Sequence, residues 1–246
     1  RFGFRGVRHT RGVQVTGEIR LLAISPSCFR VVNRAVYRAL AERGVTVELI
    51  IPRQYFVLGE WQDSEPDQDD GYKTTRLDLT GNHQRLQRFS GLSAVVKAFR
   101  PTHIYVDADP SSVMALQAAI AAPKAKISTI TAENLPTKTR KRVIQALRDR
   151  NLREAANICI KSVLRQLSRP RMDRVFTLSE DGSEVTQNMG FTVAKLPLGY
   201  DTRLFYVQRE EIRAATRERL GLTCPTIAYF GRQVPEKGIH ILLEAL

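Results

Sequence analysis

From Glu18 onward, short and mostly apolar runs alternate with longer stretches whose apolar residues recur every three to four positions. Short apolar runs are the pattern of strands buried on both faces; the three-to-four spacing is that of a helix with one face on a core. "IRLLAIS" (Ile19 to Ser25) is the first such run. "RVVNRAVYRALAERG" follows, with Val32, Val36 and Leu40 at helical spacing and Gly44 placed to close the helix as its C′ residue. "VTVELII" predicts a second strand, ended by Pro52, and Pro52 to Gly71, with its "DSEPDQDDG", predicts a polar loop. Then come strand "KTTRLDL", helix "LSAVVKAFRP" stopped by Pro101, strand "HIYVD", helix "SSVMALQAAIAA" and strand "KISTIT". A long basic helical region, strand "RVFTLS", helix "EDGSEVTQNMG" and strand "TVAKLPL" complete the series. Strands separated by helices of this length predict an α/β domain with a parallel sheet covered on both faces.

The pattern changes after "LPLGYDTRLF". A charged helix, "REEIRAATRERLGL", leads to "TIAYFG", the start of another strand-turn-helix unit. Three segments are expected: a basic leader over 1–17, one complete α/β domain over 18–200, and a linker with the first βα unit of a second domain over 201–246. One strand and one helix cannot bury a core, so the second domain is expected to be truncated. The leader is arginine-rich and reads as a disordered extension or a transit peptide.

Length and composition agree with this division. The chain has 246 residues, 43% of them hydrophobic, enough for one large domain or a domain and part of another. The net charge is +13, from 38 Lys+Arg against 25 Asp+Glu, which favours an anionic partner: a phosphate-bearing small molecule, an anionic membrane surface or nucleic acid. Cys28, Cys159 and Cys224 are far apart and form no CxxC or Cys/His cluster. That argues against a structural metal site or a disulfide framework and for a reducing, cytoplasmic setting. No apolar run approaches the ~20 residues of a spanning helix.

The charge is concentrated. Lys138 to Arg174 holds twelve Lys/Arg against three acids, a net of +9, with Val143, Leu147, Ala155, Cys159, Val163 and Leu167 as its apolar face. Two readings follow: a basic amphipathic helix peripheral on an anionic membrane surface, or a domain helix with its basic face in water. Nucleic acid is disfavoured, because aromatics are not interleaved with the charge.

Four places carry candidate chemistry. In "YFGRQVPEKGIH", Gly231 allows close backbone approach and Gly238 opens a helix whose free N–H groups attract anions, with Arg232 and Lys237 as cations beside it. The other reading is a tight turn with solvated charges; the GxxxxGK[ST] order of a Walker loop is missing. In "SPSCFR", Ser25 and Ser27 offer hydroxyls to a substrate where no glycine is present, which argues against a dinucleotide fingerprint. In "TAENLP", Glu133 and Asn134 fall at a strand's carboxyl end, where α/β sheets bind ligands. Helix capping is the alternative for Glu133. In "VDADPSS", Asp107 and Asp109 make a DxD pair, for which capping of the following helix by Asp109 is favoured over metal binding.

"GRQVPEKGIHILLEAL" resembles the segment that opens the C-terminal domain of family 4 (group 1) glycosyltransferases of the GT-B fold. "DRVFTLSEDGSEVTQNMGFTVAKLPLGYDTRLF" resembles the stretch that precedes it in that family. The resemblance runs from about Asp173 to Leu246. It implies two Rossmann-like domains, the first complete here, and metal-free, cofactor-free transfer of a sugar from a nucleotide-diphosphate donor to an acceptor with retention at the anomeric carbon. By resemblance, Gly231, Arg232, Lys237 and Gly238 hold the donor diphosphate, and Arg232 and Lys237 stabilise the leaving group. Glu133 stands where the family often has a histidine near the donor sugar, and would contact sugar hydroxyls or developing positive charge. The glycine pair the family often carries after its first strand is absent. The family's E-x7-E donor element lies further along than Leu246, so this chain is expected to lack most of the nucleotide pocket and to be inactive alone. The implied acceptor is a glycan, lipid-linked or a polysaccharide intermediate. The rival expectation is a non-catalytic α/β module that binds a phosphorylated ligand or an anionic surface.

Overall fold

The computed structural model describes residues 18–57, 59–68, 70–81, 83–133, 139–201, 204–231 and 233–245. The chain divides into two compact units, one ending at Tyr200 and the other spanning Asp201–Leu246.

The first unit is built on seven parallel strands: β1 (Arg20–Ile24), β2 (Thr46–Pro52), β3 (Lys73–Leu77), β4 (His103–Val106), β5 (Lys126–Thr131), β6 (Arg174–Thr177) and β7 (Val193–Lys195). Their order across the sheet is β7-β6-β5-β4-β1-β2-β3. This is a Rossmann-like, doubly wound sheet. Helices α1 (Ala35–Ala41), α2 (Leu92–Phe99), α3 (Val113–Ala121), α4 (Thr139–Arg148), α5 (Leu152–Ser168) and α6 (Glu180–Asn188) lie between the strands. Side chains alternate faces along a strand. Leu22 and Ile24 of β1 therefore pack with Leu92 and Val96 of α2 and Met114 of α3, while Ala23 packs with Cys28 and Tyr37 on the other face. Burial on both faces is why β1 and β2 read as unbroken apolar runs.

Gly44 closes the α1 region as expected. Its φ of +81° lets Val45 N–H reach Leu40 O at 3.1 Å and Gly44 N–H reach Ala41 O at 2.9 Å. The buried face of α1 is only partly the expected one: Leu40 packs on the core, but Val32 and Val36 are exposed, and Tyr37 of the helix and Arg34 just before it are buried. Two 3₁₀ turns, Pro26–Phe29 and Val31–Arg34, precede the helix. Their three residues per turn shift the phase that a continuous α-helix would have had.

The expected polar loop over 52–71 contains a β-hairpin, Gln54–Val57 paired antiparallel with Glu60–Asp63. A second, two-residue ladder joins Leu79–Thr80 to Arg88–Phe89. The basic region is two helices, not one. Arg150 turns at φ +55°, and Asn151 caps α5 by accepting from Glu154 N–H at 3.0 Å. The break resets the helical phase, so the expected apolar face divides. Ala155 is buried with Ala146 and Ile158, against half-buried Val143. Leu147, Cys159, Val163 and Leu167 are exposed.

The second unit holds α7 (Glu210–Arg219), a short turn at Pro235–Lys237 and α8 (Ile239–Glu244). The run Thr226 to Phe230 forms no strand. No other strand is present among the described residues of this unit to take its backbone hydrogen bonds, and a strand without a neighbour is not stable.

Candidate functional site

In the order β7-β6-β5-β4-β1-β2-β3, the winding reverses between β1 and β4. Crevices form outside the carboxyl ends of the strands at such a reversal. Here the chain leaving β1 presents Ser25 and Ser27, and the chain leaving β4 presents Asp107. Asp107 N–H donates to Ile24 O at 2.8 Å, which fixes the acid beside the end of β1. The hydroxyls of Ser25 and Ser27 each donate to Asp107 Oδ2 at 2.6 Å and lie 3.0 Å apart. Ser25 is fully buried and Ser27 is exposed. Both serines buttress an acid. Behind them, burial above all, helped by the charge of Asp107 against hydrogen bonds from Ser25 and Ser27, pushes the Cys28 thiol up to about 11. Burial likewise holds the Tyr37 and Tyr105 phenols well above their ordinary range, with Asp107 adding to both shifts.

Next to the reversal lies a cleft of about 430 Å³, walled by 83–85, 107–109, Ser112, 130–133 and Lys161. Asp109 Oδ1 accepts from Ser111 N–H at 2.8 Å and Oδ2 from Thr131 Oγ at 2.9 Å. The expected capping of α3 by Asp109 is not what the structure has. Ser112 is the N-cap, accepting from Ala115 N–H at 3.2 Å, and Asp109, three residues earlier, makes a tighter turn onto Ser111. Its second oxygen ties the end of β4 to the end of β5. Glu133 follows β5; its N–H donates to Thr131 Oγ at 3.2 Å and its carboxylate pairs with Lys161 of α5. Asn134 lies outside the described residues. Among the described residues, no group of three or more His, Cys, Asp or Glu is placed to hold a metal ion.

The cleft thus gathers three carboxylates, from Asp107, Asp109 and Glu133, with one ammonium group and the 83–85 turn. Glu133 is legible from its strand end; Asp107 and Asp109 are legible as a pair, but not as part of a cleft. Lys161, Thr131 and the 83–85 turn are not. The signal for Lys161 is its phase: it shares the inward face of α5 with Ile158, Leu164 and Ser168, all buried. A lysine at that spacing must find an acid or a pocket.

In the second unit, Lys237 is exposed at the end of the Pro235–Lys237 turn, and Gly238 precedes α8 at φ +66°, a backbone setting that favours glycine. Gly231 is exposed, and Arg232 lies outside the described residues.

No family model matches the sequence, and no curated protein matches it. Among the solved structures similar to parts of the chain are the following three. A UDP-GlcNAc 2-epimerase from Methanocaldococcus jannaschii has a TM-score of 0.39 and 13% identity over 75% of this chain and 46% of its own. A UDP-glucosyltransferase from Polygonum tinctorium capable of glucosylating indoxyl, in complex with 3,4-dichloroaniline, has a TM-score of 0.43 and 9% identity over 81% of this chain and 56% of its own. A short-chain dehydrogenase/reductase from Burkholderia vietnamiensis has a TM-score of 0.24 and 13% identity over 85% and 96%. This chain spans about half the length of the first two. Likenesses this weak carry no argument; the fold rests on the strand order itself.

Proposed function

We propose that this chain is the acceptor-side domain and the opening of the donor domain of a nucleotide-sugar-dependent glycosyltransferase. The observation that carries the reading is the cleft beside the β1/β4 reversal, with Asp107, Asp109 and Glu133 on its wall. Carboxylates accept hydrogen bonds and donate none when ionised, so they suit a ligand rich in hydroxyl donors. A glycan acceptor is such a ligand, and its reacting hydroxyl needs a neighbouring acceptor for the proton it gives up.

In the reaction, the bond from the sugar's anomeric carbon to the donor's terminal phosphate oxygen breaks. A bond from that carbon to the acceptor oxygen forms, the acceptor hydroxyl loses its proton, and the nucleoside diphosphate leaves. In the finer reading, transfer proceeds with retention and moves a hexose. Glu133 contacts sugar hydroxyls or the developing positive charge. Gly231, Arg232, Lys237 and Gly238 hold the diphosphate, and the two cations stabilise the leaving group. This assignment of the second unit rests on the sequence resemblance alone. The experiment is a transfer assay on the complete protein with UDP-, GDP- and ADP-hexoses, reading nucleoside diphosphate release that depends on added acceptor. Release with no dependence on acceptor overturns the reading.

A second observation bears on the acceptor. On α5, Leu152, Ala156, Cys159, Ile160, Val163 and Leu167 are all exposed. Their spacing of three to four places them on one stripe, facing away from Lys161 and the core. The stripe lies in the region with twelve Lys/Arg against three acids. An exposed apolar stripe in a strongly basic setting suits an anionic bilayer surface. A second copy of the chain would bring like charge against like. This supports a lipid-linked acceptor over a free polysaccharide.

A further inference from the structure

We propose that the Gln54–Asp63 hairpin is an aromatic platform that binds a hexose ring of a neutral glycan. The proposal rests on the glycosyltransferase reading for what the glycan is, an acceptor, and on the hairpin alone for the fact of binding.

The hairpin follows the carboxyl end of β2, the same edge of the sheet that carries the cleft. Side chains two apart share a face, and cross-strand partners stand side by side. One face therefore holds Tyr55 and its partner Gln62, the other Gln54 with Asp63 and Phe56 with Trp61. The Tyr55 face is anchored. Its ring packs on Phe29 with centroids 5.2 Å apart, and Gln62 accepts from Arg30 at 2.6 Å.

The opposite face has no such anchor. Phe56 is 55% exposed and Trp61 64%, with ring centroids 5.4 Å apart at 59°. Beside them Gln54 Nε2 donates to Asp63 Oδ1 at 2.8 Å, and both residues are exposed. The face thus joins two aromatic rings to an amide and a carboxylate. A pyranose has a matching division. Its C–H face is weakly positive and suits the negative face of an indole. Its equatorial hydroxyls suit a planar amide and an acid. Apolar walls with a few convergent polar groups are the general form of a small-molecule site.

Other occupants fit less well. Glu60 and Asp63 put negative charge on the hairpin strands themselves, which disfavours an anionic bilayer. Two rings expose far less than the roughly 800 Å² per partner of a stable protein interface.

Trp61 is the sole tryptophan of the chain, so its emission reports this face alone. The test titrates the full chain, without donor, with neutral gluco-, galacto- and manno-tetrasaccharides in α and β linkage. The expected result is a saturable change in Trp61 emission with at least one of them, weakened about tenfold or more in Phe56→Ala, which circular dichroism shows to be folded. Calorimetry on Trp61→Ala with the same sugar gives the same loss. Unchanged emission across the panel, or equal affinity in Phe56→Ala, overturns the proposal. So does an emission shift with phosphatidylglycerol vesicles and with no sugar. Sugar binding without transfer leaves the platform standing and sinks the glycosyltransferase reading. Transfer without any Trp61 response does the reverse.

Discussion

Ser25 and Asp107 stand 82 residues apart in sequence, yet the serine hydroxyl donates to the acid's Oδ2 at 2.6 Å. The bond joins the ends of β1 and β4 at the point where the sheet's winding reverses. It sets the position of the acid that stands nearest the cleft on that side.

Because Ser25 is fully buried, its hydroxyl keeps only that of Ser27, 3.0 Å away, in place of the acid when Asp107 is removed. Asp107→Ala should cost about 1–3 kcal/mol, the range for a buried polar group left without its partner. Ser25→Ala should cost about 1 kcal/mol. The double variant should lose less than the sum of the two, because the second change removes what the first left unpaired. Urea unfolding of the four proteins checks this; strict additivity would mean the two groups do not interact.

Cys28 gives a prediction that depends on pH. Its thiol is held at about 11, up from 9.0. A group whose folded pKa is raised binds its proton more tightly when folded. The stability it contributes is therefore fully present below pH 9 and is lost as pH rises toward 11. Two experiments follow. Native protein at pH 8 should show two fast thiols by disulfide-exchange reagent, Cys159 and Cys224, both exposed, with Cys28 appearing only on unfolding. The alkaline fall in stability should be shallower in Cys28→Ala than in the parent.

The exposed stripe on α5 predicts binding to vesicles that contain acidic lipid, weakening as salt is raised. Each basic residue near such a surface contributes about 1 kcal/mol. Replacing Arg140, Lys141, Arg142 and Arg148 by glutamine should remove most of the salt-sensitive part. Ile160→Ser with Val163→Ser should remove the salt-resistant part. Equal co-sedimentation of all three proteins at low salt would reduce the stripe to a solvated surface.

The sheet was legible because both faces of its strands are buried, so β1, β2 and β4 announce themselves as apolar runs. Glu133 was legible for a related reason, because it lies close to the end of such a run, whereas Asp107 and Asp109 stood out as a pair but pointed to capping of a helix that Ser112 caps. What was not legible depends on contacts distant in sequence. Nothing near Arg34 says that it will be buried, donating to the carbonyls of Cys28 and Glu65 at 2.8 Å each. That contact holds the 52–71 segment against the first turn. The hairpin was hidden because its exposed face is half aromatic and half polar, which breaks the apolar-polar alternation of a half-buried strand. The two-helix form of the basic region turned on a positive φ at Arg150, a conformation that few sequences declare. The strand expected at Thr226 to Phe230 is apolar enough, but a strand is a property of a pair.

In the proposed reaction the cleft binds an acceptor to which a nucleotide sugar delivers its hexose. The most direct measurement is acceptor-dependent release of nucleoside diphosphate by the complete protein, compared with Glu133→Gln, Arg232→Ala and Lys237→Ala. Loss of one positioned group that stabilises developing charge slows such steps by on the order of a hundredfold or more. The expected result is a loss of that size in turnover for each of the three, with folding intact. Near-parental turnover in Glu133→Gln would contradict the placement of the site, and near-parental turnover in both cation variants would contradict the glycosyltransferase reading itself.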